Sequence, residues 1–192
     1  MSASNPRRWA RRIAVGATAL ALAGAAGAAQ VYTHVLPGAQ VDFQATQMGV
    51  HMKGHFGQVQ AQLRFDPQNL AASHVQVVVD CASVHAGGSQ ADELLRGADW
   101  LDAKAHAQAR FVSTAFTADG PGRYEVSGRF SVRGRTRPLQ VSLRTHAEAG
   151  KLAMDVDFHL DRSQWGLGSG SWADTSVVAA DIPVHVQLVA AP

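Results

Sequence analysis

The sequence predicts an all-β fold, an eight-stranded antiparallel barrel with a short helical insertion after the third strand. One observation is strict alternation. In residues 123–133, Tyr124, Val126, Phe130 and Val132 fall on one side, and Arg123, Glu125, Ser127, Arg129, Ser131 and Arg133 on the other. Residues 151–161 repeat the pattern, with Leu152, Met154, Val156, Phe158 and Leu160 opposed to Lys151, Asp155, Asp157, His159 and Asp161. Side chains of a strand point alternately to opposite faces, so such segments suit antiparallel sheet with one wet face and one apolar face. A second observation is turn chemistry between these segments, as in Asp66-Pro67-Gln68-Asn69 and Asp119-Gly120-Pro121-Gly122. The third is a single long exception, the connection from Ala82 to Ala109, which exceeds any hairpin loop.

In chain order, the first element is a leader. Arg7, Arg8, Arg11 and Arg12 precede an apolar stretch from Ile13 to Leu22 and the small-residue run Ala23 to Ala29. The stretch is shorter than the about 20 strongly apolar residues of a spanning helix. Cleavage options of the A-x-A kind stand at Ala26-Gly27-Ala28 and just after Ala29. Residues 1–29 are therefore expected to be a cleaved signal peptide and residues 30–192 the mature domain, a soluble periplasmic protein. The arginine doublets resemble a twin-arginine signal but lack the apolar residues that normally follow, so the export route stays open.

The first strand is expected near residues 40–47, with Val41, Phe43 and Ala45 on one face. In the second, Val59, Ala61, Leu63 and Phe65 oppose Gln58, Gln60, Gln62 and Arg64. The third spans 74–81, the fourth lies near 110–117, the fifth is 123–133, and the sixth is 138–145 with Leu139, Val141 and Leu143 inward. The seventh is 151–161. The eighth runs near 177–189, where Ile182, Val184, Val186 and Leu188 oppose Asp181, His185 and Gln187, and Pro183 suggests an edge or a bulge. In the long connection, Ser89 can cap a helix whose third position is Asp92, and Gly97 can end it. Ala91, Leu94, Leu95, Ala98 and Leu101 recur at three- and four-residue spacing, so this piece should lie on the sheet or cover an opening, as a lid or plug.

Without the leader, 13 basic residues face 15 acidic ones, a net charge of about −2 with His neutral. The folded domain therefore lacks the basic field of a nucleic-acid binder. The mature length suits one domain with one core. Cys81 is the only cysteine, so no internal disulfide can form, and its place after Val75, Val77 and Val79 makes it a buried small hydrophobe.

Eight single-faced strands can close into a barrel or split into a two-sheet sandwich, and patterning leaves both open. At eight strands a barrel interior is either filled by side chains or just wide enough for one small ligand. The inward faces mix bulky Phe with Ala, Val and Gly128, which is compatible with a packed core and with an elongated apolar guest.

No catalytic constellation can be assembled from the sequence. There is no G-x-S-x-G elbow, no H-E-x-x-H and no phosphate-binding glycine loop. His51 and His55 would chelate a metal on a helix but stand about 13 Å apart along a strand, so no metal site is expected. His159, His185, Asp155, Asp157 and Asp161 fall on polar faces, where solvated charge explains them. Arg133, Arg135 and Arg137 cluster before Pro138, either as a solvated hairpin tip or as an anion site. Asp92, Asp99 and Asp174 suit caps and turn anchors.

Several stretches carry a family resemblance. They are Gln47-Met48-Gly49-Val50, Gly54-His55-Phe56, Phe65-Asp66-Pro67, Ala98-Asp99-Trp100-Leu101-Asp102 and Gln108-Ala109-Arg110-Phe111. They continue with Gly128-Arg129-Phe130-Ser131-Val132-Arg133-Gly134, Arg162-Ser163-Gln164-Trp165-Gly166-Leu167-Gly168 and Trp172-Ala173-Asp174-Thr175-Ser176-Val177-Val178. Together they resemble the YceI-like family across residues 31–189. Two departures stand out: His106-Ala107 where many relatives have Tyr-Pro, and a shorter loop between Gly49 and Gly54.

The resemblance implies a periplasmic lipocalin-like barrel whose interior holds a long polyisoprenoid, typically a quinone. The expected function is that of a binding or carrier protein for such a lipid, not an enzyme, with no cofactor beyond the lipid itself. The alternatives are a small envelope enzyme acting on an apolar substrate and a filled-core interaction module for a membrane redox partner. Expected partners are an isoprenoid lipid, a membrane touched transiently, a membrane redox protein and a second copy in a homodimer; nucleic acid is not among them. The expected ligand contacts are Phe43, Phe65, Phe111, Tyr124, Phe130, Leu143 and Phe158, with Trp100 and Trp165 near the irregular segments, where indole N–H groups need polar partners.

Overall fold

The computed structural model describes residues 30–192; the leader expected at 1–29 lies outside the described residues. The chain forms one antiparallel sheet of 11 strands. They are β1 (His34–Val35), β2 (Gln40–Gln47), β3 (Val50–Phe56), β4 (Val59–Arg64), β5 (His74–Asp80) and β6 (Val84–His85), then β7 (Gln108–Ala118), β8 (Arg123–Val132), β9 (Arg135–Glu148), β10 (Lys151–Asp161) and β11 (Asp181–Ala191). Two short helices, α1 (Ser89–Arg96) and α2 (Arg162–Trp165), interrupt them.

The strand order β4-β5-β7-β8-β9-β10-β11-β2-β3-β6 is one continuous path, which excludes the two-sheet sandwich. The path curls back on itself. β1 extends along β11, and Tyr32, just before β1, bridges to Phe65, just after β4. At the other corner, the Gly57 amide donates to the Ser83 carbonyl and the Asp80 amide to the Gln58 carbonyl. The result is a barrel-like sheet with a seam between β3 and β4.

Turn chemistry sets the hairpins. β2–β3, β8–β9 and β9–β10 are joined by two-residue turns, Met48-Gly49, Arg133-Gly134 and Ala149-Gly150, with φ near +50° at the first residue and between +69° and +80° at the glycine. Both central residues lie in the left-handed region, the geometry whose twist matches that of paired strands, and glycine meets it without a Cβ clash.

The expected strand count of eight is too low. β1 and β6 are two residues each and carry no periodicity. β3 does alternate, with Val50, Met52, Gly54 and Phe56 opposed to His51, Lys53 and His55, but Gly54 and a run of polar residues make it read as a loop. The segment between Gly49 and Gly54 is therefore strand. With these strands counted, the helix follows β6 rather than a third strand. Ser89 does not cap it: Gly88 holds the cap position and Ser89 opens the helix. Pro183 sits within β11, just beyond the last β2 pair, Val184 with Phe43, so only β10 flanks it there.

The buried side chains form two clusters. One gathers Val79, Cys81, Val84, Trp100, Leu160, Trp165 and their neighbours, and the other Tyr32, Phe65, Phe116, Val126, Leu143 and Met154 with theirs. Many inward residues in between, Phe43, Val77, Phe111, Phe130 and Phe158 among them, remain only partly buried, because the interior is not filled.

Candidate functional site: an apolar cavity inside the sheet

The inward faces of the strands enclose a cavity that offers about 300 Å³ to the centres of water-sized spheres. At roughly 10–15 Å³ for each water position, that is room for on the order of twenty to thirty non-hydrogen atoms. The wall draws on both clusters and is apolar almost throughout, with Gln47, Arg110 and Arg162 as its polar residues. Strand alternation explains this composition, since the outward residues of the same strands carry the charge.

Of the nine residues named from the sequence, Phe43, Trp100, Phe111, Phe130, Leu143 and Phe158 line the cavity. Phe65, Tyr124 and Trp165 do not. Phe65 is 1% exposed and packs edge-on against Tyr124, with ring centroids 5.1 Å apart, closing the end near Tyr32. Trp165 stacks edge-on against Phe130 at 5.0 Å and lies beneath the Arg137 guanidinium. Their aromaticity marked them, but their strand ends and helical turn place them in the end packing.

Two glycines position two of the wall phenylalanines. A Cβ on Gly54 would lie 2.3 Å from the Phe43 ring, and one on Gly128 would lie 2.4 Å from the Phe111 ring. Each ring reaches over a glycine of the paired strand, Gly54 opposite Phe43 and Gly128 near Phe111, into space that a Cβ would otherwise take.

One end of the cavity is organised by Arg162, which is 1% exposed. Its Nε donates to the Val178 and Ala179 carbonyls, Nη1 to Leu167 and Gly168, and Nη2 to Val178 and Asp174. Burial pulls its pKa down from the usual guanidinium value, and the nearby Asp161 and Asp174 carboxylates oppose that. The guanidinium lies 5.5 Å from the ring of Trp100. Trp100 in turn carries the only buried side-chain donor without a hydrogen-bond partner among the described residues, its Nε1. Sequence reading missed Arg162, because an arginine after a strand rich in surface charge gives no sign that it is buried.

At the same end, the segment that leads into Trp100 forms a lid. Ala91, Leu94 and Leu95 of α1 face the cavity, together with Ala86, which follows β6, and Met52 of β3. Asp92 anchors the helix: its carboxylate accepts from the Ala86 amide at 2.7 Å and pairs with His85 and Arg96. That amide, then His85 and Arg96, hold the Asp92 carboxyl below the usual carboxylate range. Arg96 also donates to the Ala82 and Val84 carbonyls.

The arginine cluster serves packing. Arg133 donates to the Ala98 carbonyl and the Ser169 hydroxyl, Arg135 donates to the Gln164 carbonyl, and Arg137 covers Trp165. The hairpin tip is thus stapled to the loops at the Arg162 end. Asp99 and Asp174 accept from Ser169 and Ser176, as turn anchors do. His51 bonds Thr46, His55 stacks on His85, and His159 and His185 pair with Asp181 and Asp157 on the outer surface. Burial raises the Cys81 thiol to about 11, so it stays protonated as a core residue.

A family model described as the YceI-like domain matches residues 32–190. The chain belongs to the YceI-like family. Among solved structures, that of Burkholderia cenocepacia BcnA is 32% identical, with a TM-score of 0.76 over 79% of this chain and 95% of that one. A polyisoprenoid binding domain from Saccharophagus degradans, implicated in plant cell wall breakdown, shares the fold at 13% identity, with a TM-score of 0.65 over 85% of this chain and 99% of that one. A UPF0312 protein of Vibrio cholerae is 33% identical over 105 residues, 54% of this chain and 56% of its own length, so this chain matches little more than half of that relative.

Proposed function

We propose that this protein binds a polyisoprenoid lipid, with an isoprenoid quinone as the favoured guest, inside the sheet and carries it through the periplasm without chemically changing it. The observation that carries the reading is the cavity itself, a continuous apolar space lined by Phe43, Phe111, Phe130 and Phe158 that an ordinary close-packed core would have filled. The Saccharophagus degradans domain, named for polyisoprenoid binding, supports the lipid class through its shared fold. The volume suits about four to six five-carbon units, by the same water-sized measure.

The energetics suit a carrier. A tail of about twenty to thirty carbons gains nominally about 16–24 kcal/mol on leaving water, at about 0.8 kcal/mol per methylene, near or above the roughly 20 kcal/mol at which affinities saturate. From a bilayer the tail gains little, because it is already in an apolar medium, so loading and release are nearly balanced. Incubating the purified protein with vesicles that contain an isoprenoid quinone, then separating and extracting it, tests the reading. Stoichiometric quinone is expected, and a protein that emerges lipid-free would overturn it.

A further inference from the structure

We infer that the cavity mouth is a bilayer-docking lip, built by the β2–β3 hairpin and α1, through which the guest passes; this rests on the lipid-carrier reading. The mouth is located by two side chains that line the cavity and also reach the surface, Met52 at 39% exposure and Leu94 at 38%. Beyond them, Met48 and Val50 are the most exposed large apolar residues described, at 78% and 64%. Four of the six exposed large apolar side chains among the described residues therefore rim one opening, whereas Val112 and Val189 stand on other strands. The two other two-residue hairpin tips carry Arg133 and Ala149 at the position that Met48 holds.

The lip is held in place. The Met48 amide donates to the Val177 carbonyl and the Ala179 amide to the Thr46 carbonyl, so the hairpin tip is braced against the loop before β11. Its charge suits an anionic surface. No carboxylate occurs between Asp42 and Asp66, while Lys53, His51 and His55 stand on β3. On the helix side, Asp92 is engaged by His85 and Arg96, and Glu93 is its neighbour. A protein partner would need about 800 Å² of matched surface with aromatic or arginine anchors at its centre. The lip offers Met, Val and Leu on a projecting edge, which the apolar layer just below lipid headgroups accepts without a shaped partner.

The test uses the purified protein and vesicles of phosphatidylcholine, with or without phosphatidylglycerol, each prepared with and without an isoprenoid quinone. Co-sedimentation measures docking on the guest-free vesicles. The rate of quinone uptake measures transfer, and loading from dilute detergent measures the cavity alone. Met48→Asp combined with Val50→Asp should lower co-sedimentation and uptake rate roughly tenfold or more. Its thermal midpoint and its loading from detergent should stay at parental values, because both sites are exposed. Val112→Asp, on β7, should change none of these. Equal docking and uptake by the double variant and its parent would overturn the lip, as would a parent that loads from detergent but never sediments with vesicles. Docking that depends on an added protein and not on the bilayer would overturn it in favour of a protein partner. Failure to load from any source would sink the carrier reading instead, while the sedimentation result still decides the lip.

Discussion

Val77→Phe separates a hollow interior from a packed one by the sign of its effect. Val77 points inward from β5, flanked in register by Ala61 and Phe111, and is only partly buried although it lies mid-strand. In a filled core, enlarging such a residue forces neighbours off their rotamers and costs about 1–3 kcal/mol. On the wall of a cavity of about 300 Å³ the ring has space, and the added apolar surface leaves stability unchanged or raises it by about 1 kcal/mol. The substitution adds about four carbons, close to one five-carbon unit of guest, worth about 4 kcal/mol of transfer from water. Urea unfolding of lipid-free protein should give a midpoint at or above the parental one with the same slope. The preferred guest should shorten by about one unit. A midpoint lowered by the equivalent of 1–3 kcal/mol, with no change in guest length, would refute the hollow-barrel reasoning.

Three further outcomes follow from the site. Trp100→Phe removes a buried donor that has no hydrogen-bond partner, which offsets by about 1–3 kcal/mol the packing lost with the smaller ring, so the midpoint of urea unfolding should fall by the equivalent of no more than about 1 kcal/mol. Arg162→Met strands the carbonyls of Leu167, Gly168, Asp174, Val178 and Ala179, and should cost more than about 3 kcal/mol, read as a fall in Tm of roughly 6–12 °C. For Asp92→Asn the prediction concerns pH. The folded carboxyl titrates below its unfolded value, so its contribution is complete above about pH 4 and is lost as the pH falls through the lowered folded value. The stability gap between parent and variant should therefore hold at neutral pH and close on acidification. A gap unchanged at low pH would show that the carboxylate charge is not what anchors α1.

Much of the fold was legible because the burial pattern is binary. The strands with clean alternation, 40–47, 59–65, 74–81, 123–133 and 151–161, occur almost residue for residue, since a one-residue slip would turn each apolar face to water. β3 escaped because Gly54 stands where an inward hydrophobe would complete the pattern, and the reason for that glycine, the Phe43 ring lying across it, is a tertiary contact. The lid was readable from the spacing of Ala91, Leu94 and Leu95, and Asp92 suits an anchor in the sequence too, but the partners of that anchor were not legible. Ser89 looked like the cap, while Asp92, reaching the Ala86 amide across a turn, holds the helix. Among the wall residues, periodicity identified inward side chains but not depth along the barrel. Phe111 and Phe65 look alike in sequence, and only the Tyr32–Phe65 bridge puts the second in the closed end. The arginines at 133, 135 and 137 gave charge without partners, because the loop carbonyls and ring they meet lie about thirty residues away.

The central claim, that the interior holds a polyisoprenoid lipid, is tested most directly by native mass spectrometry of protein purified without detergent, followed by organic extraction. The account predicts one stoichiometric mass increment that releases an isoprenoid species, lost when Phe130 and Phe158 are replaced by Asp. A bare protein mass that persists after exposure to quinone-loaded vesicles would contradict it.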